Sequence, residues 1–555
     1  MNLRALLLTF VLANTALAQS AAKYPADVKP GVDRISAASV RAPLALLADD
    51  LYEGRAPGTR GGELAASYIA SRLEAMGLEP AGANGSYFQR VPFREYTVVP
   101  DKCEAFADQS GQVGPIGTFG EDYVALGSPF ETSVDVQGKV VFVGYGAVVP
   151  GHKIDDYAGI DAKGKFIAIF RGGSPALPPE ERAHYGTSAM IQAEAVKHGA
   201  IGIVILPTPE SEKENPFSKM AANIDQPNLR WIGPDGKPNG RPEIKATIAI
   251  SPALAEQVFL NTPSTTEQIL DALKAGKNQS FDTPYILKLH VETLHRDITS
   301  PNVLAVRRGS DPKLKDEFVV YSAHYDHLGI GKPVNGDPLY NGAWDNASGV
   351  TSVLNIADAF AALPKAPARS VLFAFVTAEE KGLLGSDYFA QYPTIPKQSM
   401  IANINIDMIP FFSEYKEIVL GPDRVGMNAA VQRIAKMVGL PTAEPAKDAP
   451  QRGSFMTRSD GYSFIRQGIP AVTVSMRGDA KTSDEFRKLY GTRYHQPSDD
   501  LTMPFNWEAG ATFARTQFLL GYEIANGKTR PAWRNDDWLA GAFKPSTQSQ
   551  AAGNK

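Results

Sequence analysis

From Asp297 onward the chain alternates apolar runs of strand length with longer amphipathic runs, and no other feature constrains its fold as strongly. Residues 318–323, 371–376 and 401–406 read as strands, and 350–363 reads as a helix ended by Pro364. A further helix is expected at 427–438, before Gly439. Strands that alternate with helices pack as a largely parallel α/β sheet covered by helices on both faces. In an open sheet of this kind ligands sit at the carboxyl ends of the strands, so the residues there are the ones to inspect.

The amino-terminal half has a different texture. Leu64, Tyr68, Ile69, Leu73 and Met76 keep helical spacing, with Gly77 as the stop, and an aromatic and β-branched stretch follows around 88–99. Between about 105 and 285, short strands such as 140–143, 166–170 and 201–206 are separated by glycine and proline turns. One helix, 188–198, is closed there by Gly199. The segment 231–242, with three glycines and three prolines, reads as a surface loop. A chain of 555 residues with this change of texture calls for more than one core. The polar tail after Pro545 is expected to be disordered.

Charge and cysteine content exclude several functions. With 56 basic and 60 acidic residues the net charge is −4, so the broad basic footprint of a non-specific nucleic-acid binder is absent. Cys103 is the single cysteine, which excludes an internal disulfide, thiolate zinc clusters and CxxC redox chemistry. Any metal is therefore held by nitrogen and oxygen. At the amino end, Arg4 precedes an apolar run that closes on Ala16-Leu17-Ala18 before Gln19, which reads as a signal peptide over residues 1–18. The apolar stretch is shorter than the roughly 20 residues a membrane span needs. An exported protein, periplasmic or secreted, without stable membrane association is the expectation.

Polar residues stand at five places to which the sheet argument directs attention. His324 ends the strand 318–323, and Asp326, two residues on, is placed to accept a hydrogen bond from its second ring nitrogen. Asp345 stands in the glycine-flanked turn 341–349, just before a helix, where a helix-capping role is the plain alternative. Glu379 and Glu380 follow the strand 371–376; adjacent acids at a helix start are also simply favoured by its dipole. Asp407 ends the strand 401–406, where an unpaired carboxylate is costly to bury. His495 lies in the loop 494–499. Taken together, these nitrogen and oxygen ligands are what two divalent cations require, with one acid left over as a general base.

Ser322-Ala323-His324-Tyr325-Asp326, the turn 341–349, Thr377-Ala378-Glu379-Glu380-Lys381-Gly382, Asn405-Ile406-Asp407-Met408 and Tyr494-His495-Gln496-Pro497-Ser498-Asp499 resemble, in order and separation, the motifs of the co-catalytic di-zinc aminopeptidases. These are relatives of secreted bacterial leucyl aminopeptidases and of glutamate carboxypeptidase. Gly54 to Thr59 is similar to the family's amino-terminal segment, and 166–172 with 199–206 is similar to the protease-associated domain that some members insert. The resemblance implies a zinc exopeptidase-like α/β domain, discontinuous over 36–105 and 286–540, with a β-rich protease-associated domain inserted at 106–285. It implies two zinc ions: His324 and Asp407 on one, Glu380 and His495 on the other, Asp345 bridging. Glu379 becomes the general base and Tyr494 a donor to the tetrahedral oxyanion.

Two positions depart from the family pattern. Trp344 replaces a small polar or acidic residue, and Gly461 stands where histidine is common; neither is a ligand, so both bear on substrate preference. Trp344 either lines the entrance or packs as a loop aromatic. The expected activity is removal of amino-terminal residues from peptides, with the inserted domain covering the cleft and limiting substrate size. A carboxypeptidase or dipeptidase is the alternative, and it needs a basic clamp such as Arg452, Arg458 or Arg477. A glutaminyl cyclase or a catalytically inactive binding protein is favoured less, because every ligand position is retained.

Overall fold

The computed structural model describes residues 24–260, 264–421, 423–444 and 453–543. The expected signal peptide, the expected disordered tail and Arg452 lie outside these residues. The chain forms an α/β fold built on a mixed sheet with flanking helices. Its site-bearing part orders five strands as Met400–Asn405, Phe318–His324, Ser370–Val376, Phe281–Arg307 and Phe88–Val98. The first three are parallel and the last two run antiparallel to their neighbours. The expected largely parallel sheet is thus parallel where the candidate residues lie and antiparallel beyond.

Register explains why those residues meet. His324 pairs with Val376, and Ser322 pairs with both Ala374 and Asn405. Three parallel strands in this register end level with one another, so the residues that follow each of them emerge at one edge. All seven residues of Phe318–His324 and of Ser370–Val376 are buried, because helices cover both faces. Ser348–Ala361 and Trp507–Asn526 are two of the covering helices, and Phe360 packs edge-on against Phe518 between them.

Helix boundaries follow their local signals. In Arg60–Ala75 the Thr59 side chain accepts from Gly62 N–H, and the helix ends at Gly77 (φ +70), a conformation that costs glycine little. Its buried stripe is Ala65, Ala66, Ile69, Ala70 and Leu73, so Leu64, read from sequence as part of the apolar face, points outward instead. Small alanines let the helix lie close to the sheet. The expected helix 427–438 is Asn428–Val438.

Residues between the two halves build a second unit. Ser133–Phe142, Phe166–Phe170, Gly202–Leu206 and Ala246–Ile250 pair in parallel, with Tyr123–Leu126 antiparallel at the edge. Successive residues alternate between two cores: Phe142, Phe166 and Ile248 on one side, Val141, Ile167 and Ile203 on the other. The 27-residue strand Phe281–Arg307 joins the units, pairing with Ser133–Phe142 through its first half and with Ser370–Val376 through its second. The boundary expected at 285/286 therefore falls inside one continuous strand. Trp231, read as the start of a surface loop, instead ends the strand Asn228–Trp231 and is buried, its indole donating to Asp387 at 2.9 Å. That bond, the ion pair of Arg424 with Glu180, and the Lys381 ammonium on the Pro227 carbonyl tie the second unit to the first.

Candidate metal centre

Asp345 sits at the centre of the cluster. Its Oδ1 lies 3.3 Å from His324 Nε2 and its Oδ2 3.2 Å from His495 Nε2, so each carboxylate oxygen faces one imidazole. On the His324 side, Asp407 Oδ1 is 3.3 Å and Glu379 Oε2 3.9 Å from the same ring nitrogen. On the other side, Glu380 Oε2 is 3.0 Å from His495 Nε2. Two sets of ligand atoms, from His324, Glu379 and Asp407 and from His324, Asp345 and Glu380, each lie within 4.8 Å of one another. Six residues that sequence reasoning selected are thereby brought to one place.

The backbone aims them at some local cost. Ala378, Met408 and His495 all have positive φ (56°, 45° and 56°), and each is, or adjoins, a member of the cluster. Non-glycine residues adopt this region only where the surrounding structure imposes it. Asp345 is not a helix cap. It lies in a wide turn closed by Ala347 N–H donating to Gly342 O, ahead of the helix Ser348–Ala361. The Asp345–Asn346 peptide is cis. Gly349 permits close approach at the helix start: a Cβ there would lie 2.4 Å from the Ile406 carbonyl oxygen.

A further layer of residues holds the cluster. The Asp326 carboxylate accepts the backbone N–H groups of Glu379 (3.1 Å) and Glu380 (3.3 Å), while His324 Nδ1 is closer to the Asp326 carbonyl (3.2 Å) than to its carboxylate (3.8 Å). Asp326 thus fixes the loop carrying both glutamates rather than chiefly the histidine ring. The Asp499 carboxylate accepts Trp344 N–H and Asp345 N–H at 2.8 and 3.0 Å. His327 Nδ1 is 2.8 Å from Glu380 Oε1, and fully buried Arg55 donates to the carbonyls of Tyr325, Leu47, Asn341 and Gly342. Sequence reasoning gave no role to Arg55, His327 or Asp499. His327 has a signal in its spacing of three from His324; Arg55 stands in the segment 54–59 that resembles the family's, but nothing local names its partners, three of which are carbonyls distant in sequence.

Electrostatics set the cluster apart from an ordinary ion-pair network. Burial opposes charge on His495, yet Glu380 and Asp345 push it up to about 10. His324, also buried, is held well above the usual imidazole value by Glu379, Asp345 and Asp407. Burial raises Asp345 too, but the two imidazoles hold it well below the usual carboxylate range. Burial raises Glu379 well above its ordinary value, and Glu380, Asp407 and Asp460 add to this while His324 opposes it. Four carboxylates therefore crowd a buried space and retain positive charge on both rings. Cations held by nitrogen and oxygen donors fit such a set, taking the place of those protons. His495 Nε2 fits as well: it is buried and has no hydrogen bond despite its two carboxylate neighbours.

Beside the cluster lies a pocket of about 410 Å³ reached by Asp345, Glu379 and Asp407 and walled by Met408, Phe455, Phe486, Tyr490 and Tyr494. Tyr494 stacks on His495 with centroids 3.7 Å apart, and its Oη accepts from Arg458 at 3.2 Å. Trp344 does not line this pocket. It is fully buried against Phe412 and Phe486, its indole donating to the Ile409 carbonyl, while Gly461 lies in the pocket wall. Of the expected arginines, Arg458 lines the pocket, whereas Arg477 is paired with Glu417.

Residues 302–520 match the model of peptidase family M28. A probable leucine aminopeptidase 2 of Aspergillus fumigatus is 27% identical over 230 residues, which is 39% of this chain and 42% of that protein. Aminopeptidase Y of Saccharomyces cerevisiae is 28% identical over 265 residues, covering 45% and 44%. The chain thus spans less than half the length of these curated relatives. Among solved structures, an aminopeptidase from Aneurinibacillus sp. strain AM-1 is similar in fold, with a TM-score of 0.51 at 19% identity, covering 91% of this chain and 97% of that one.

Proposed function

We propose that the protein is a metal-dependent exopeptidase that removes amino-terminal residues from peptides. The observation that carries this is the placement of Asp345, with one oxygen toward His324 and the other toward His495. In this reading His324 and Asp407 hold one zinc ion, Glu380 and His495 the second, and Asp345 is shared. Two zinc ions there supply Lewis-acid polarisation of the scissile carbonyl and acidify water at neutral pH. Glu379 takes the proton of the attacking water and returns it to the leaving amine, a task suited to a carboxylate raised above its ordinary pKa. Tyr494 keeps its own proton, since burial and the nearby Asp345 and Glu380 carboxylates raise its pKa against the opposing charge of Arg458, and so can donate to the oxyanion. Asp326, Asp499 and His327 hold the ligands in position.

The apolar and aromatic pocket receives the side chain of the terminal residue. The second unit, read as an inserted protease-associated domain, covers the cleft and limits substrate size. Among the described residues no helix is long and apolar enough to cross a membrane. Export to the periplasm or medium remains part of the proposal, resting on residues 1–18.

Arg458 in the pocket wall favours one second reading, a carboxypeptidase or dipeptidase whose substrate carboxylate it binds. Peptides free or acetylated at the amino end, and free or amidated at the carboxyl end, separate the two when their products are read by mass spectrometry. The proposal expects trimming only from free amino ends, abolished by a chelator. Trimming that requires a free carboxyl end assigns the site to the second reading.

A further inference from the structure

A cleft of about 1180 Å³ separates the second unit from the site-bearing one, and Arg458 and Tyr462 line both it and the pocket at the cluster. Its volume exceeds the range of about 300–1,000 Å³ typical of a site for one small molecule. Seven cationic side chains line it against four carboxylates. One of those carboxylates, Asp387, is already taken by Arg466 and by the Trp231 indole.

Arg171, Arg230, Lys237 and Arg241 make no ion pair with a carboxylate among the described residues. Arg171 donates to the Asn215 carbonyl, and Arg230 donates to the Leu229 carbonyl and lies 5.9 Å over the Tyr96 ring. Neutral partners orient these two groups without compensating their charge. An excess of one sign in a concave space raises the local concentration of opposite charge.

We propose that this cleft binds the downstream part of the peptide and selects substrates carrying aspartate or glutamate a few residues beyond the terminal one. The proposal rests on the exopeptidase reading and adds a substrate class to it. All four unpaired cations come from the second unit, which gives that unit a part in recognition beyond covering the site.

The test compares Leu-Ala-Glu-Glu-Glu with Leu-Ala-Gln-Gln-Gln, each carrying a carboxyl-terminal fluorophore. Release of leucine gives KM, and fluorescence anisotropy with the Glu379→Gln protein gives binding without turnover. At low salt the glutamate peptide should have a KM roughly tenfold lower, and the ratio should shrink at high salt. In Lys237→Gln/Arg241→Gln, both positions being exposed, the ratio of the two KM values should fall toward one. Equal KM values at low salt, or a ratio unchanged in the double variant and in Arg171→Gln, would overturn the proposal. If neither peptide is cleaved the exopeptidase reading fails by itself. Tighter binding of the glutamate peptide would then still support the cleft, and equal binding would overturn it as well.

Discussion

Asp345 and Glu379 are both buried carboxylates, yet their surroundings drive their proton affinities apart. Two imidazoles face Asp345 and hold it ionised, whereas burial and three neighbouring acids raise Glu379. The proposed function gives them different tasks, and substitution distinguishes the two. Glu379→Gln keeps size and an acceptor oxygen but removes the exchangeable proton, so turnover should fall by about 10²–10⁴ while metal content measured by elemental analysis stays unchanged. Full activity in that variant would end the general-base assignment. His327 acts through Glu380, touching it at 2.8 Å. His327→Ala should weaken metal affinity by about 10–100-fold in a chelator titration, with activity restored by excess zinc. A variant whose affinity is unaltered would show that Glu380 is held by other means.

At the scale of elements, the turn and helix after Asp345 depend on close approach. Gly349 lies where a Cβ would be 2.3 Å from Asn346 Oδ1 and 2.4 Å from the Ile406 carbonyl oxygen. The Asn346 side chain is pinned there, donating to the Ile406 carbonyl and accepting from Gly349 and Met408 N–H. Gly349→Ala must therefore push apart the helix start and the strand end that carry Asp345 and Asp407. A loss of about 1–3 kcal/mol is expected in denaturant unfolding, accompanied by lower zinc occupancy. Stability equal to that of the parent protein would mean that this junction relaxes without strain.

For the whole molecule, the contact between the two units contains one ionisable group poised against charge. His184, on the helix Pro179–Tyr185, is buried, 2.6 Å from Tyr462 Oη and packed against Trp538 and Phe543. Burial, reinforced by Arg466, lowers its pKa to about 4. An unfolded histidine titrates near 6.5, so between these values the unfolded chain takes up the extra proton and stability falls with falling pH. The contribution, about 3 kcal/mol, is complete above pH ~6.5 and lost by pH ~4. Thermal unfolding followed across this window should show the decline, and His184→Gln should flatten it. Identical pH profiles for the two proteins would exclude His184 as the cause.

The strands at 318–323, 371–376 and 401–406, and the polar residues that end them, are legible in the sequence because apolar runs and their interruptions are local signals. The same holds for Gly77, whose helix ends where the periodicity stops. Tertiary structure alone decided what those residues touch. Parallel register brought His324, Glu379 and Asp407 to one edge, and the loop after Arg493 carried His495 across to Asp345. It also placed Trp344 in the core, gave the Asp326 carboxylate to two backbone N–H groups, and ran a single strand through the expected domain boundary. The physical reason is that side-chain patterning records whether a residue is buried, while its partner is set by contacts between segments far apart in the chain. Arg55, whose guanidinium serves four carbonyls and no other side chain, leaves no trace of that role in the sequence around it.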